Sequence, residues 1–389
     1  MYEASKNRFD FSKNNILHLC FINHKMTAMN PLYFLLIALF LTLQGFSQAP
    51  KVDQKVFFIT LDGLRWQELF SGADSLLVKN EKYVEHPEKL YKRYWAPSPE
   101  ERRRRLMPFV WNQVVKMGQI YGNRTLDNKV NLTNGMWFSY PGYNEILTGR
   151  ADDQNINSNK KTPNPNETVL EQFAKVYGKN RVAAFGSWDV FDAIVNQERS
   201  GIYANCGFEP STDFPLTPQE ELLNELQRQI PSPWGSVRLD GFTHQFAKAY
   251  LDKHQPDLIY IAYGETDDFA HNGDYESYLK SAKNTDGLIE DLWNYTQKSD
   301  HYRGKTTFII STDHGRGTDP IDSWRSHGRK INGSDQTWII IFGKGVKNLG
   351  EVANEGQLYT HQLAPTVQIL FDLPQKLEKG YGLPMLLND

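Results

Sequence analysis

The stretch FIISTDHGRG, Phe308–Gly317, opens on the apolar run Phe308-Ile309-Ile310 and ends, after Ser311 and Thr312, in Asp313, His314 and Gly315. An unbroken apolar run of this length reads as a strand covered on both faces. It delivers a carboxylate and an imidazole, side by side, at its C-terminal end. Ligands of open α/β sheets bind outside the carboxyl ends of the strands, so this switch marks both the fold and a candidate site. Four further runs read as strands beside Thr307–Ser311: Val56–Leu61, Val182–Phe185, Leu258–Tyr263 and Trp338–Phe342.

Helical patterns lie between these runs. Thr168–Tyr177 puts Val169, Leu170, Phe173, Val176 and Tyr177 on one face, and Gly178 supplies the stop. Thr217-Pro218-Gln219-Glu220 gives an N-cap, Pro at the first helical position and Glu at the third, opening a helix to about Ile230. Leu363-Ala364-Pro365-Thr366 opens another, to about Asp372. The alternation predicts an α/β fold, a mainly parallel sheet sandwiched by helices. Residues 75–130, charged and aromatic, read as a cap insertion. Their PEERRRR run, Pro99–Arg105, reads as a solvated helix face.

The chain has 389 residues, 40% hydrophobic and 13% aromatic, which suits a large globular domain rather than disorder. A formal charge of −3 argues against nucleic acid or an anionic membrane as a standing partner. Leu32–Leu43 is an apolar stretch short for a membrane span and suited to a signal peptide. Gly45 and Ser47 then flank a cut before Gln48, with Met26 and Met29 as alternative starts that make residues 1–25 untranslated. This predicts a signal peptide over 1–47, a catalytic domain over 48–389, and a periplasmic or secreted protein with no membrane contact after cleavage. Loss of Cys20 leaves Cys206 alone, so no intrachain disulfide is expected.

Other strand ends carry the same chemistry. VFFITLDG ends in Asp62, LIYIAYGETDDFAH is followed by Asp267 and His271 at a spacing of four, and His327 lies in the loop before the next strand. With Asp313 and His314 these residues gather at one sheet edge. Three packed carboxylates repel one another and raise their own pKa values unless cations neutralise them. Mixed Asp/His ligation suits Zn²⁺, with Mn²⁺ as the alternative. Six ligands exceed one tetrahedral site, so two divalent metals about 4 Å apart are the natural count. Each motif alone is weak, since an Asp-His pair also caps helices. In MWFSYPGYNEILTGR, Met136–Arg150, Ser139 precedes Pro141 in the first turn of a helix ending at Gly149. There its hydroxyl can act as a nucleophile or simply as an N-cap.

In their order, Asp62, Ser139, Asp267-x-x-x-His271, Asp313-His314 and His327 resemble the metal and nucleophile motifs of the alkaline phosphatase superfamily. Among its branches the motifs look most like those of the type I phosphodiesterase/nucleotide pyrophosphatase family, whose nucleophile motif reads Thr-Phe-Pro-Asn. Here Ser139-Tyr140-Pro141-Gly142 replaces it, so Gly142 stands where that branch has Asn. The resemblance covers about Lys55 to Leu373. It implies one metal on Asp267, His271 and His327, and another on Asp62, Asp313 and His314 with Ser139 bridging toward it. It also implies a phosphate-binding Asn, for which Asn159 fits first and Asn157 second. Tyr143 in place of Arg disfavours a formylglycine sulfatase.

One monoesterase branch carries a Lys-x-Arg pair where this chain has Ser187, Trp188 and Asp189. Asp189 repels a dianion, and Trp188 offers a stacking surface for a base or aryl group. If Trp188 is core, Arg150 or Arg329 is the alternative contact for substrate charge. The expected function is hydrolysis of a small phosphate ester or nucleotide, of the phosphodiesterase/nucleotide pyrophosphatase type, through a phosphoseryl intermediate. The alternatives are a phosphomonoesterase, a phosphomutase and a non-catalytic binding protein.

Overall fold

The apolar runs pair into one sheet in the computed structural model, which describes residues 53–374 and Leu383. The stretch 1–47, with Leu32–Leu43 and Cys20, lies outside the described residues. Among the described residues no helix is long and apolar enough to cross a membrane.

The strands are β1 (Lys55–Leu61), β2 (Gly118–Tyr121), β3 (Asn128–Asn131), β4 (Val182–Gly186), β5 (Tyr203–Cys206), β6 (Leu258–Tyr263), β7 (Thr306–Thr312), β8 (Gln336–Thr337), β9 (Ile339–Gly343), β10 (Gly350–Glu351) and β11 (Gly356–Tyr359). The main sheet has eight strands in the order β10-β2-β9-β7-β1-β6-β4-β5. From β7 to β5 all neighbours are parallel, while β9 runs antiparallel to both β7 and β2. A small sheet, β11-β3-β8, lies apart. The expectation of a mainly parallel sheet between helices is borne out, with β9 as its antiparallel exception.

The unbroken apolar runs follow from burial on both faces. Phe57, Ile59 and Leu61 of β1 join one core, with Phe308 and Ile310 of β7. Val56, Phe58 and Ile309 point into the other. Each such side chain contributes about 1.5–3 kcal/mol when fully buried.

The helices that matter below are α1 (Pro99–Leu106), α2 (Ser139–Thr148), α3 (Val169–Tyr177), α4 (Pro218–Gln229), α5 (Asp240–His254), α6 (Glu265–Asn272), α7 (Tyr275–Lys298) and α8 (Leu363–Leu370). Thr217 caps α4 with the reciprocal Glu220 box, and Thr168 caps α3 through the Glu171 N–H. Helix α8 ends at Leu370, and Asp372 turns into the left-handed region at φ 51°.

The segment 75–130 does more than cover the sheet, because its strand β2 is hydrogen-bonded within it. The basic run forms α1; Arg104 and Arg105 are exposed, as a solvated face should be, whereas Arg102 and Arg103 turn into the fold. Arg103 forks onto Glu351 at 2.8 and 2.9 Å and lies over the Trp111 ring. Arg102 donates to the Ser71 and Ala96 carbonyls, and Arg105 pairs with Glu101.

Candidate active site

Register brings the strand ends level. Leu61 of β1 pairs with Thr312 of β7 on one side and Tyr263 of β6 on the other. Asp62 and Asp313 therefore leave the sheet side by side, and α6 starts two residues after β6 with Asp267 and His271 one turn apart. His327 arrives from the loop before β8, its ring stacked on His314 at 3.9 Å.

Two groups of possible ligand atoms result, each within 4.8 Å: Asp267, His271 and His327, and Asp62, Asp267 and His314. The first coincides with one expected ligand set. In the second, Asp267 stands where the resemblance implied Asp313. Asp313 nevertheless remains at the edge, with Oδ2 3.5 Å from His314 Nε2. Its Oδ1 accepts the Gly63 N–H at 3.0 Å.

The electrostatics favour a cation. Burial, then repulsion from Asp267, pushes the Asp62 carboxyl up; burial, then repulsion from Asp62, pushes Asp313 well up. Burial also acts against ionised Asp267, but Arg316, His327 and His271 outweigh it and hold that carboxyl well below its usual range. Burial lowers His314, yet Asp313 and Asp62 carry it up to about 9. Burial, then His314, drives His327 well down. His314 Nδ1 donates to the Gly315 carbonyl at 2.9 Å, which turns Nε2 toward the carboxylates.

The donor set fits a divalent metal. Asp62 Oδ1 and Asp313 Oδ2 are buried without a hydrogen-bond partner among the described residues. His271 Nε2 and His327 Nε2 face each other at 2.9 Å with Asp267 beside them. A cation satisfies these lone pairs together and removes the repulsion.

Ser139 sits at the first position of α2, 5% exposed, with Oγ 3.4 Å from His314 Nε2. It is not the N-cap: Phe138 is, without a side-chain hydrogen bond. Asn159 Oδ1 accepts the Tyr140 N–H at 3.0 Å, so the structure brings Asn159 to the N-terminus of α2. Asn157 is exposed and donates only to the Gln154 carbonyl. Trp188 is half-buried against the core, edge-on to Phe191, and bridges to Val237. Arg150 lies beyond the far end of α2, bound to Asn166. Arg329 is exposed and donates to the Gly135 carbonyl at 3.1 Å, beside the loop that leads to Ser139.

Several positioning residues were not read from the sequence. Tyr143 donates to Asp62 Oδ2 at 2.9 Å, and Arg316 pairs with Asp267. Arg316 lies within FIISTDHGRG itself, two residues after His314. Glu145, fully buried on α2, accepts from the Thr133 and Asn134 backbone N–H groups, Asn134 Nδ2 and Thr360 Oγ1. It ties the loop before Ser139 to the helix after it.

A doubly covered α/β sheet with carboxylates, imidazoles and a helix-terminal hydroxyl at its carboxyl edge defines an alkaline phosphatase-like hydrolase. The chain belongs to the type I phosphodiesterase/nucleotide pyrophosphatase family, whose model matches residues 133–350. It is thus a phosphoester hydrolase. Asp62 lies outside the matched residues.

Solved structures agree on the fold. The wild-type alkaline phosphatase PafA aligns with a TM-score of 0.55 at 12% identity, over 84% of this chain and 96% of that one. A putative sulfatase from Bacteroides thetaiotaomicron VPI-5482 gives 0.53 at 13% identity, over 85% and 73%. The lipoteichoic acid synthase LtaP from Listeria monocytogenes gives 0.52 at 9%, over 86% and 76%. No curated protein matches in sequence.

Proposed function

We propose that the protein is a two-metal phosphodiesterase in which Ser139 attacks phosphorus. The observation that carries this reading is the Ser139 hydroxyl at the start of α2, 3.4 Å from the His314 nitrogen that faces Asp62 and Asp313. Asp267, His271 and His327 would hold one divalent ion. Asp62, Asp313 and His314 would hold the other, with Asp267 beside them. Such ions supply charge that lowers the pKa of a bound hydroxyl and stabilises developing negative charge. Zn²⁺ suits the nitrogen and oxygen donors.

The chain's own groups do the rest. Tyr143 and the Gly63 N–H fix the Asp62 and Asp313 carboxylates. Asn159 satisfies the Tyr140 N–H, Pro141 has none, and the Ser139 N–H at the positive helix end is left for a phosphoryl oxygen. In-line attack forms the Ser139 Oγ–P bond as the opposite P–O ester bond breaks and its alcohol leaves, and water then cleaves the phosphoseryl intermediate to release the product and restore the serine hydroxyl. Export, with residues 1–47 removed, belongs to the same reading.

Purified without chelator, the protein should carry about two divalent metals per chain, as a two-metal site requires. Elemental analysis reads this directly. Finding no transition metal, with none retained after incubation in Zn²⁺ or Mn²⁺, removes the metal reading.

The diester preference rests on charge. A monoester is close to a dianion at neutral pH and benefits from a cationic clamp. Ser187 is buried and bonded to Asp240, and Trp188 packs on the core, so neither supplies one. We expect kcat/KM for an aryl phosphodiester to exceed that for the matched monoester by about tenfold or more, the loss set by one unmet charge contact. A monoester preference would favour the phosphomonoesterase reading and leave the metal groups and Ser139 untouched.

A further inference from the structure

Arg316 is buried, and Asp267 is the one carboxylate it pairs with among the described residues. Its guanidinium donates to Asp267 Oδ1, to the Asp267 carbonyl at 3.1 Å and to the Trp324 carbonyl at 3.4 Å. That same Oδ1 faces two imidazoles, 3.7 Å from His314 Nε2 and 3.6 Å from His327 Nε2. Oδ2 is turned to His271 Nε2 instead, at 3.2 Å. The fold leaves room for this meeting at Gly63. A Cβ there would lie 2.8 Å from Asp267 Oδ1, 3.0 Å from Arg316 Nε and 3.1 Å from His314 Cε1.

The acids of the site are therefore not held alike. Neutral donors steady two of them, the Tyr143 hydroxyl on Asp62 and the Gly63 N–H on Asp313. Asp267 is held by a full positive charge. A neutral donor is enough to orient a ligating carboxylate, so orientation alone does not call for arginine. A buried guanidinium is costly to desolvate, and its charge is little screened.

Charge then divides unevenly between the two ligand sets. Asp62 and Asp313 stand beside His314, and together they can neutralise a divalent ion. Asp267 stands alone beside His271 and His327, and Arg316 cancels its charge. Imidazoles bind a metal as neutral ligands and do not redress the difference.

We propose that Arg316 is a positioning residue that occupies Oδ1 of Asp267, confines this carboxylate to the ion held with His271 and His327, and makes that ion the more weakly bound of the two. This rests on the two-metal reading. A site whose ligands leave a cation's charge uncancelled holds the cation loosely and attracts an anionic ester more strongly. Arg316 thus lowers metal affinity and leaves more charge for the substrate.

The test is a titration of metal-free protein with Zn²⁺ against a chromogenic chelator, which reads dissociation constants without turnover. Wild type should show two steps at least about tenfold apart, and His271→Ala should lose the weaker step and keep the tighter. Arg316→Met removes the charge and keeps most of the length. It should tighten the weaker step by about tenfold or more, the scale on which groups behind metal ligands act, and leave the other within about threefold. Arg316→Gln keeps a donor without the charge, so it should move the same way, and it covers the case in which the methionine variant fails to fold. Arg316→Lys keeps the charge and should keep the gap.

An arginine that only braced α6 against the Trp324 loop predicts the opposite sign, because its loss would loosen Asp267 and weaken the same step. That result overturns the inference. Two steps that respond to neither Arg316→Met nor Arg316→Gln overturn it alone and leave the two-metal reading intact. A single step in wild type, or none, removes the two-metal reading and the inference with it.

Discussion

Ser139→Ala should lower kcat by about a thousandfold or more on any phosphate ester the protein hydrolyses, the cost of losing a covalent nucleophile. Fold and metal content should hardly change. The hydroxyl caps nothing, since Phe138 occupies the N-cap, and it lies 3.4 Å from His314 Nε2. Alanine is also the better helix former, so stability should stay within about 0.5 kcal/mol of wild type.

These two expectations together make the test specific. A residue that mattered only as a cap would lose stability and keep its chemistry. Ser139→Thr supplies the complement: it restores the hydroxyl that the family motif uses and should keep kcat within about tenfold. If Ser139→Ala retains more than about a tenth of wild-type activity, water or another group attacks phosphorus.

How much of this was legible in the sequence depends on what fixes each element. Strands β1, β6, β7 and β9 are buried on both faces, so their central residues are apolar and the carboxylates Asp62 and Asp313 stand out at their ends. Thr217 and Glu220 announce α4 because capping is a local interaction. Strands β2 and β5, read from GQIY and YANC, carry no such signal. Their strand character comes from β9 and β4 alongside, a tertiary effect that local propensity does not record.

The site divides in the same way. Its acids and imidazoles are visible because polar groups ending apolar strands stand out. The sharing of Asp267 between two groups is not visible, because it depends on the angle at which α6 leaves β6. Glu145 has no motif, since a lone Glu on a helix usually faces water and only burial against the 133–134 backbone reveals its task.

Gly142 shows where the resemblance and the geometry part. The family branch has Asn at this position, and glycine inside a helix costs about 1 kcal/mol relative to alanine. A local reading therefore treats it as a defect. In the folded chain a Cβ on Gly142 would lie 2.2 Å from the Asp313 carbonyl oxygen and 3.0 Å from its carbonyl carbon. Both are backbone atoms at the end of β7, between Thr312, whose partner in β1 is Leu61, and His314. They cannot swing aside as a side-chain tip can. The missing Cβ lets α2 rest directly on the strand end that carries Asp313 and His314, and that contact sets the 3.4 Å between Ser139 Oγ and His314.

Gly142→Asn, which restores the family residue, should therefore harm this chain. Glu145 ties α2 to the loop before it and Tyr143 ties α2 to Asp62, so a displaced helix strains both. We expect a loss of about 2–3 kcal/mol in denaturant unfolding, as for overpacking against an unyielding wall. Because an ångström of misplacement is enough to uncouple a nucleophile, kcat/KM should fall by about a hundredfold or more. Gly142→Ala should fall in the same direction, since the clash begins at Cβ, and that separates steric displacement from any effect of the amide. A Gly142→Asn variant as stable as wild type and active within tenfold would show that α2 can stand off from the strand end, and that Ser139 does not depend on this contact for its position.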